Sequence, residues 1–147
     1  MRISTRTRYG ARVLAELALA YPDRMLSVKE LSKKQHISPK YLEHIMRALN
    51  TAGLVKSVRG ANGGFYISRP PKEITLKMVF DALEGSIDIV HCVSNPESCL
   101  IHDICPTRDT WVQLKKHIES FLNKTTINDL AENKNLKTEK QNLTYQI

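Results

Sequence analysis

Acidic residues are scarce in the first half of this chain: residues 1–72 carry four Asp and Glu against 14 Lys and Arg, whereas residues 73–147 carry 11 against eight. The resulting balance of +10 and then −3 assigns any polyanion-binding role to the first half. A basic surface also serves solubility, so charge alone leaves both readings open. Apolar runs near the ~18 residues of a membrane span are absent, and no apolar block of a signal peptide opens the sequence. A cytoplasmic protein without a membrane partner is therefore expected. Cysteine is limited to Cys92, Cys99 and Cys105, all within 14 residues, and an odd number without a secretion signal argues against a disulfide framework. No Cys-x-x-Cys pair and no nucleophile with an evident base is found, which sets a thiol-dependent enzyme or metal carrier well behind a binding protein. What is present is 147 residues with 41% apolar content, enough for one core with an extension.

From Thr5 to Tyr21 the apolar residues Tyr9, Val13, Leu17 and Ala20 or Tyr21 recur at helical spacing, with Arg6, Arg8 and Arg12 opposite and Pro22-Asp23 as the stop,. Ser27-Val28-Lys29-Glu30 has the capping-box pattern and predicts a two-turn helix through Gln35,. Ser38 followed by Pro39 opens the next helix, because a proline at the first helical position loses no hydrogen bond. Only His36 and Ile37 separate the two helices, the spacing of a helix-turn-helix. In the helix from Pro39 to about Ala52, Leu42, Ile45, Met46 and Leu49 form the buried stripe, and Gly53 ends it,. Lys40, Tyr41, Glu43, His44 and Arg47 then face outward, a cation, hydroxyl and carboxylate set suited to the major groove. A merely solvated helix face is the alternative, and for Glu43 alone it would prevail.

Leu54 to Val58 and Phe65 to Ile67 read as strands around a Gly60-Ala61-Asn62-Gly63-Gly64 turn,. Directly after a helix-turn-helix, this hairpin is expected to be a wing rather than a plain surface hairpin. Arg59 begins its tip, where a cation can enter a narrow minor groove. Gly60, Asn62 and Gly63 form the rest of the tip that approaches the sugar-phosphate chain.

Thr75 can cap a helix to Glu84 that buries Leu76, Val79, Phe80 and Leu83 and ends at Gly85,. A longer helix is predicted from Thr107 to Asn123, with Trp111, Leu114, Ile118 and Phe121 or Leu122 as its apolar stripe. That stripe suits either the preceding domain or a two-fold dimer seam. The intervening Cys92-x6-Cys99-x5-Cys105 loop could hold an inorganic centre, act as a thiol switch, or contain inert thiols. On the residues alone, the metal and switch readings rank together. Asn133 to Gln141 is polar without periodicity and is expected to be disordered or loosely docked.

These stretches together resemble a known family, the winged-helix regulators of the iron-sulfur cluster regulator (IscR) type with their nitric-oxide-sensing (NsrR) and cysteine-metabolism (CymR) relatives. The resemblance covers about residues 1–131 and rests on MRISTRTRYGARVLAELA, ISPKYLEHIMRAL, GLVKSVRGANGGFYIS and the cysteine loop running into CPTRDTW. It implies a mainly α fold with a small β-hairpin wing: a winged helix-turn-helix over 1–85, a sensor loop over 86–106, a dimerisation helix with a short following helix over 107–131, and a polar tail over 132–147. It implies base and phosphate contacts by the Ser38 to Glu43 segment and a minor-groove contact by Arg59; Arg6, Arg8, Ser27, His44 and Arg47 complete the expected DNA-contacting set. It also implies a homodimer on double-stranded operator DNA, with Trp111, Leu114, Ile118, Phe121 and Leu122 in the seam. A partner protein of cysteine or iron-sulfur metabolism belongs to the same set of expectations.

By the same resemblance, Cys92, Cys99 and Cys105 would bind an iron-sulfur cluster, 2Fe-2S ahead of 4Fe-4S, that sets DNA affinity. The sequence departs from the family pattern at three places. The first cysteine gap is one residue longer, Lys40 replaces a smaller residue, and Arg108 stands where a histidine ligand is usual. Guanidinium stays protonated and is a poor ligand. His102 is the first choice for the fourth ligand, followed by Asp103, His91 or a residue of the partner subunit. A thiol-redox or partner-controlled regulator without a cluster is the alternative, to which the ending Tyr145 and Ile147 lends a weak likeness.

Overall fold

The computed structural model describes residues 3–144, so the terminal Tyr145 and Ile147 lie outside the described residues. Its elements are α1 (Thr5–Ala20), α2 (Val28–Gln35), α3 (Pro39–Thr51), β1 (Val55–Val58), β2 (Gly64–Ile67), α4 (Leu76–Leu83), the single turn α5 (His91–Ser94), α6 (Arg108–Lys124) and α7 (Ile127–Thr144). The expected mainly α architecture with one antiparallel hairpin is observed.

Local chemistry explains most boundaries. The Ser27 hydroxyl accepts from the Glu30 N–H while the Glu30 carboxylate accepts from the Ser27 N–H, completing the predicted capping box,. His36 closes α2 in the left-handed region at φ 54°. Ser38 then accepts from the Tyr41 N–H and Pro39 occupies the first turn of α3,. Gly53, with φ 71°, releases the chain from α3 into a conformation that a side chain would disfavour. The hairpin pairs Val55 with Ile67 through to Val58 with Gly64. Leu26 extends it by one rung, exchanging both backbone hydrogen bonds with Phe65.

One core joins these elements. Leu14, Leu17, Leu31, Leu42, Ile45, Met46 and Leu49 pack with Val55, Ile67, Val79 and Ile127, so α1 is covered by α3, α4 and α7 as well as by the hairpin. This enclosure explains why α1 buries more than the predicted stripe: Leu14, Ala15 and even Glu16 are inside. A smaller cluster of Phe80, Ile87 and Leu122, with Ile118 against it, docks α6 onto α4.

The C-terminal segment differs from expectation. Helix α7 continues through the supposed polar tail to Thr144. It starts on a second reciprocal cap, in which Asp129 accepts from the Thr126 N–H and hydroxyl while Thr126 accepts from the Asp129 N–H. Residues past Ala131 include good helix formers such as Lys134, Leu136, Lys137 and Glu139,, and Lys134 pairs with the buried Glu16 of α1. The backbone N–H groups of Leu76 and Ile127 donate to Thr125 and Ile74, both at 2.8 Å, and fasten the α6–α7 corner to the start of α4.

Candidate nucleic-acid interface and cysteine loop

The fold gathers most of the predicted DNA-contacting residues. Ser38, Lys40, Tyr41, Glu43, His44 and Arg47 line one open depression of about 510 Å³ along α3. Glu43 and Arg47 also border a second depression with Arg59, Gly60 and Gly63 at the wing. Arg6 of α1 meets His44 and Arg47 in a third. Its Nε is buried without a hydrogen-bond partner within the described residues, and, after the hydrogen bonding from Ser4, its charge helps lower the pKa of the nearby Glu84 carboxylate. The three depressions share α3 and form one face carrying four cations, Arg6, Lys40, Arg47 and Arg59.

Individual placements refine the expectations. Lys40, Glu43, His44, Arg47, Arg59 and Asn62 are exposed, as is Arg8. Tyr41 is half-buried because its ring meets Tyr9 edge to face. The Ser27 hydroxyl is engaged by both the Glu30 N–H and the Glu30 carboxylate, so its side chain serves the start of α2 first. Gly63 closes the wing by donating to the Gly60 carbonyl at 3.0 Å, and a Cβ there would collide with the Val58 carbonyl oxygen. Asn50 was missed: it lines the depression between α3 and the wing with Glu43 and Arg47. Its signal was the spacing, since residues four and seven positions after Glu43 share a helix face.

The cysteine loop is built differently from the rest. Cys92 lies in α5, Cys99 follows a single turn at Pro96–Ser98, and Cys105 precedes α6. All three are free and half-exposed. Among the described residues, no group of three or more His, Cys, Asp or Glu side chains is placed to hold a metal ion. The donors expected for an iron-sulfur centre therefore do not converge in this conformation and do not fit one as they stand. His102, the expected fourth donor, is engaged at both ring nitrogens, Nδ1 with the Cys99 carbonyl and Nε2 with Asp103, each at 3.0 Å. Cys105 stands apart chemically. A contact of 3.4 Å with the Thr107 hydroxyl, then backbone hydrogen bonding and the nearby Arg108 charge, hold its thiol below the ordinary range,. Arg108, at the position where a histidine ligand is usual, thus contributes to the lowered Cys105 pKa.

The expected seam on α6 is only partly free. Leu114 and Phe121 are 42% and 66% exposed, and Trp111 is half-buried. Leu122 is instead covered within its own chain by Phe80 and Ile87, with Ile118 beside it. No helix among the described residues is long and apolar enough to cross a membrane.

A helix-turn-helix whose second helix and following wing share a cationic face defines a winged-helix DNA-binding regulator. The family described as Rrf2, iron-dependent transcriptional regulator, matches residues 3–133, and the chain belongs to it. The chain is 35% identical over 134 residues to the transcriptional regulator IscR of Pectobacterium atrosepticum, spanning 91% of this chain and 81% of that one. It is 34% identical over 131 residues to the regulator CymR of Bacillus subtilis, spanning 89% and 90%. The structure of CymR, the global cysteine regulator of B. subtilis, superposes with a TM-score of 0.75 at 33% identity over 90% of this chain and 97% of that one. An oxidized form of Staphylococcus aureus CymR superposes at 0.71 with 31% identity, covering 90% and 97%. The chain is accordingly a DNA-binding transcription regulator and not an enzyme.

Proposed function

We propose that this regulator binds a partly palindromic operator as a homodimer and that the state of its loop thiols sets its DNA affinity. Two α3 helices would enter successive major grooves, with the Arg59 wings in the flanking minor grooves. The observation that carries the DNA reading is the continuity of the α3, Arg6 and wing surfaces into one cationic face. Leu114 and Phe121 supply the apolar seam,. For control, Cys105 is free and half-exposed, and hydrogen bonding from Thr107 with the Arg108 charge lowers its pKa, which supports thiol oxidation as the signal. The loop lies between the winged domain and α6, so reorganising it alters the spacing of the two reading heads.

A second reading keeps the iron-sulfur cluster on Cys92, Cys99 and Cys105, as the family's description as iron-dependent suggests. Operators selected from random duplexes supply the test. Under the thiol reading, reduced and peroxide-treated protein differ at least tenfold in operator affinity, and Cys105→Ser abolishes the difference. Unchanged affinity on oxidation, together with visible sulfide-to-iron absorption in anaerobically purified protein, would decide for the cluster.

A further inference from the structure

The carboxylate of Glu16 is the most deeply buried acidic group described in the chain, with 2% of the residue exposed. Isolated in the interior, such a charge is costly, so its partners must be fixed in place. Three come from two other helices. The Gln35 side-chain amide donates to Oε1 at 2.9 Å, Lys34 reaches Oε2 at 3.3 Å, and Lys134 of α7 pairs with Oε1. Gln35 is held from its other side by α1, because Arg12 donates to both its side-chain and main-chain oxygens, at 2.9 and 2.7 Å.

The position of this knot matters for reading DNA. Gln35 is the last residue of α2, followed by the turn through His36 and Ile37 and by the α3 cap at Ser38. Arg12 also lies over the ring of Tyr9, which contacts Tyr41 in the first turn of α3. The far end of the knot belongs to α7, which follows directly from the seam helix α6. Beyond Ala131, Lys134 is the one residue of α7 up to Thr144 that is not exposed. In this helix half, burial against the winged domain is therefore greatest at Lys134, in a groove that Lys137, Thr138 and Gln141 also line. Desolvation, then the nearby Arg12 charge, lowers the Lys134 pKa, the direction expected when an amine is drawn out of water beside another cation.

We propose that Glu16 is a positioning residue for DNA recognition, its buried carboxylate linking Lys134 of α7 to Gln35 at the helix-turn-helix turn so that the placement of the C-terminal helices sets the entry angle of α3. The inference rests on the reading that α3 enters the major groove. It assigns a role to two residues that need not touch DNA.

The test uses the full-length chain with Lys134→Met, Lys134→Arg and Glu16→Gln, measured on a selected operator and on an unrelated duplex at the same salt. Lys134→Met is the primary variant, since Lys134 is partly exposed and outside the winged domain. Its operator affinity is expected to fall about tenfold with little change on the unrelated duplex, and Lys134→Arg should restore it. Amide exchange at His36 and Ile37 should quicken in Lys134→Met. The Glu16→Gln, Lys134→Met double variant should lose no more than the worse single variant, because both break one link. Equal losses on both duplexes would make Lys134 a plain phosphate contact and overturn the proposal, as would an unchanged operator preference or unchanged exchange at the turn. Tyr41→Ala serves as control: if it leaves operator binding intact, the α3 reading itself fails, whatever the Lys134 variants do.

Discussion

Tyr9 of α1 and Tyr41 of α3 meet edge to face, with ring centroids 6.2 Å apart and planes at 75°. The Arg12 guanidinium lies 5.2 Å from the centroid of the Tyr9 ring, within cation–π range. The entry of the reading helix is thus pinned to α1 by a ring whose hydroxyl can still face DNA. Ring and hydroxyl should separate by mutation. Tyr41→Phe keeps the packing and is expected to change stability by less than ~0.5 kcal/mol while weakening operator binding. Tyr41→Ala should lose about 1–3 kcal/mol of stability, combining burial with the pair interaction. Urea unfolding of both variants checks this, and equal destabilisation would dismiss the ring as the anchor.

Arg59 and Arg6 should fail in different ways. Arg59 at the wing is expected to contribute about 1–3 kcal/mol to operator affinity, whereas Arg6→Ala should weaken binding to all duplexes and reduce the salt slope by about one. Fluorescence anisotropy across a salt series distinguishes them. A wing that only covers surface would leave affinity unchanged in Arg59→Ala.

Much of this face was legible because its signals are local. Ser27 with Glu30, Ser38 with Pro39, and Gly53 each write a boundary within four residues, and the glycine-rich tip between β-formers writes the hairpin. Residues brought together by tertiary packing were not legible. Glu16 looks like any helix-surface acid until α2 and α7 close over it, and α7 lacks the apolar period by which a docked helix is read. Leu122 shares its spacing with the seam residues, yet α4 claims it through Phe80. In the cysteine loop, short turns with no buried residue leave thiol placement to contacts that spacing does not encode.

The α4–α1 junction predicts an acid response. The Glu84 carboxylate accepts from the Ser4 N–H at 2.8 Å, and hydrogen bonding from Ser4 holds its pKa below the ordinary value. Glu30 and Asp129 are lowered by the Ser27 and Thr126 caps. Each is a carboxylate depressed in the folded state, so its stabilisation is complete above the unfolded value of about 4 and is lost as pH falls through the lower folded value. Calorimetric Tm should be flat in this respect from pH 7 to about 5 and then decline. Glu84→Gln should start from a lower Tm at pH 7 and decline less steeply, having one fewer proton to take up. A parallel acid limb in the variant would exclude Glu84 from it.

The seam prediction turns on two neighbouring residues of α6 with opposite surroundings. Phe121 is 66% exposed while Leu122 is 5% exposed, so a lysine at each position tests a different contact. Burying a Phe side chain stabilises by about 1.5–3 kcal/mol, and a two-fold seam does so twice. Phe121→Lys should therefore weaken the dimer by about 3–6 kcal/mol, on the order of a hundredfold or more, with the circular dichroism of the folded chain retained. Leu122→Lys should lower Tm, because it places a charge between Phe80 and Ile87 inside one protomer,. Leu114, one heptad before Phe121 and 42% exposed, should follow Phe121 rather than Leu122. Sedimentation equilibrium with matched thermal scans reads both effects. An unweakened Phe121→Lys dimer would mean that the seam lies elsewhere on the surface, and the spacing assigned to the two reading helices would have to be rebuilt from that other contact.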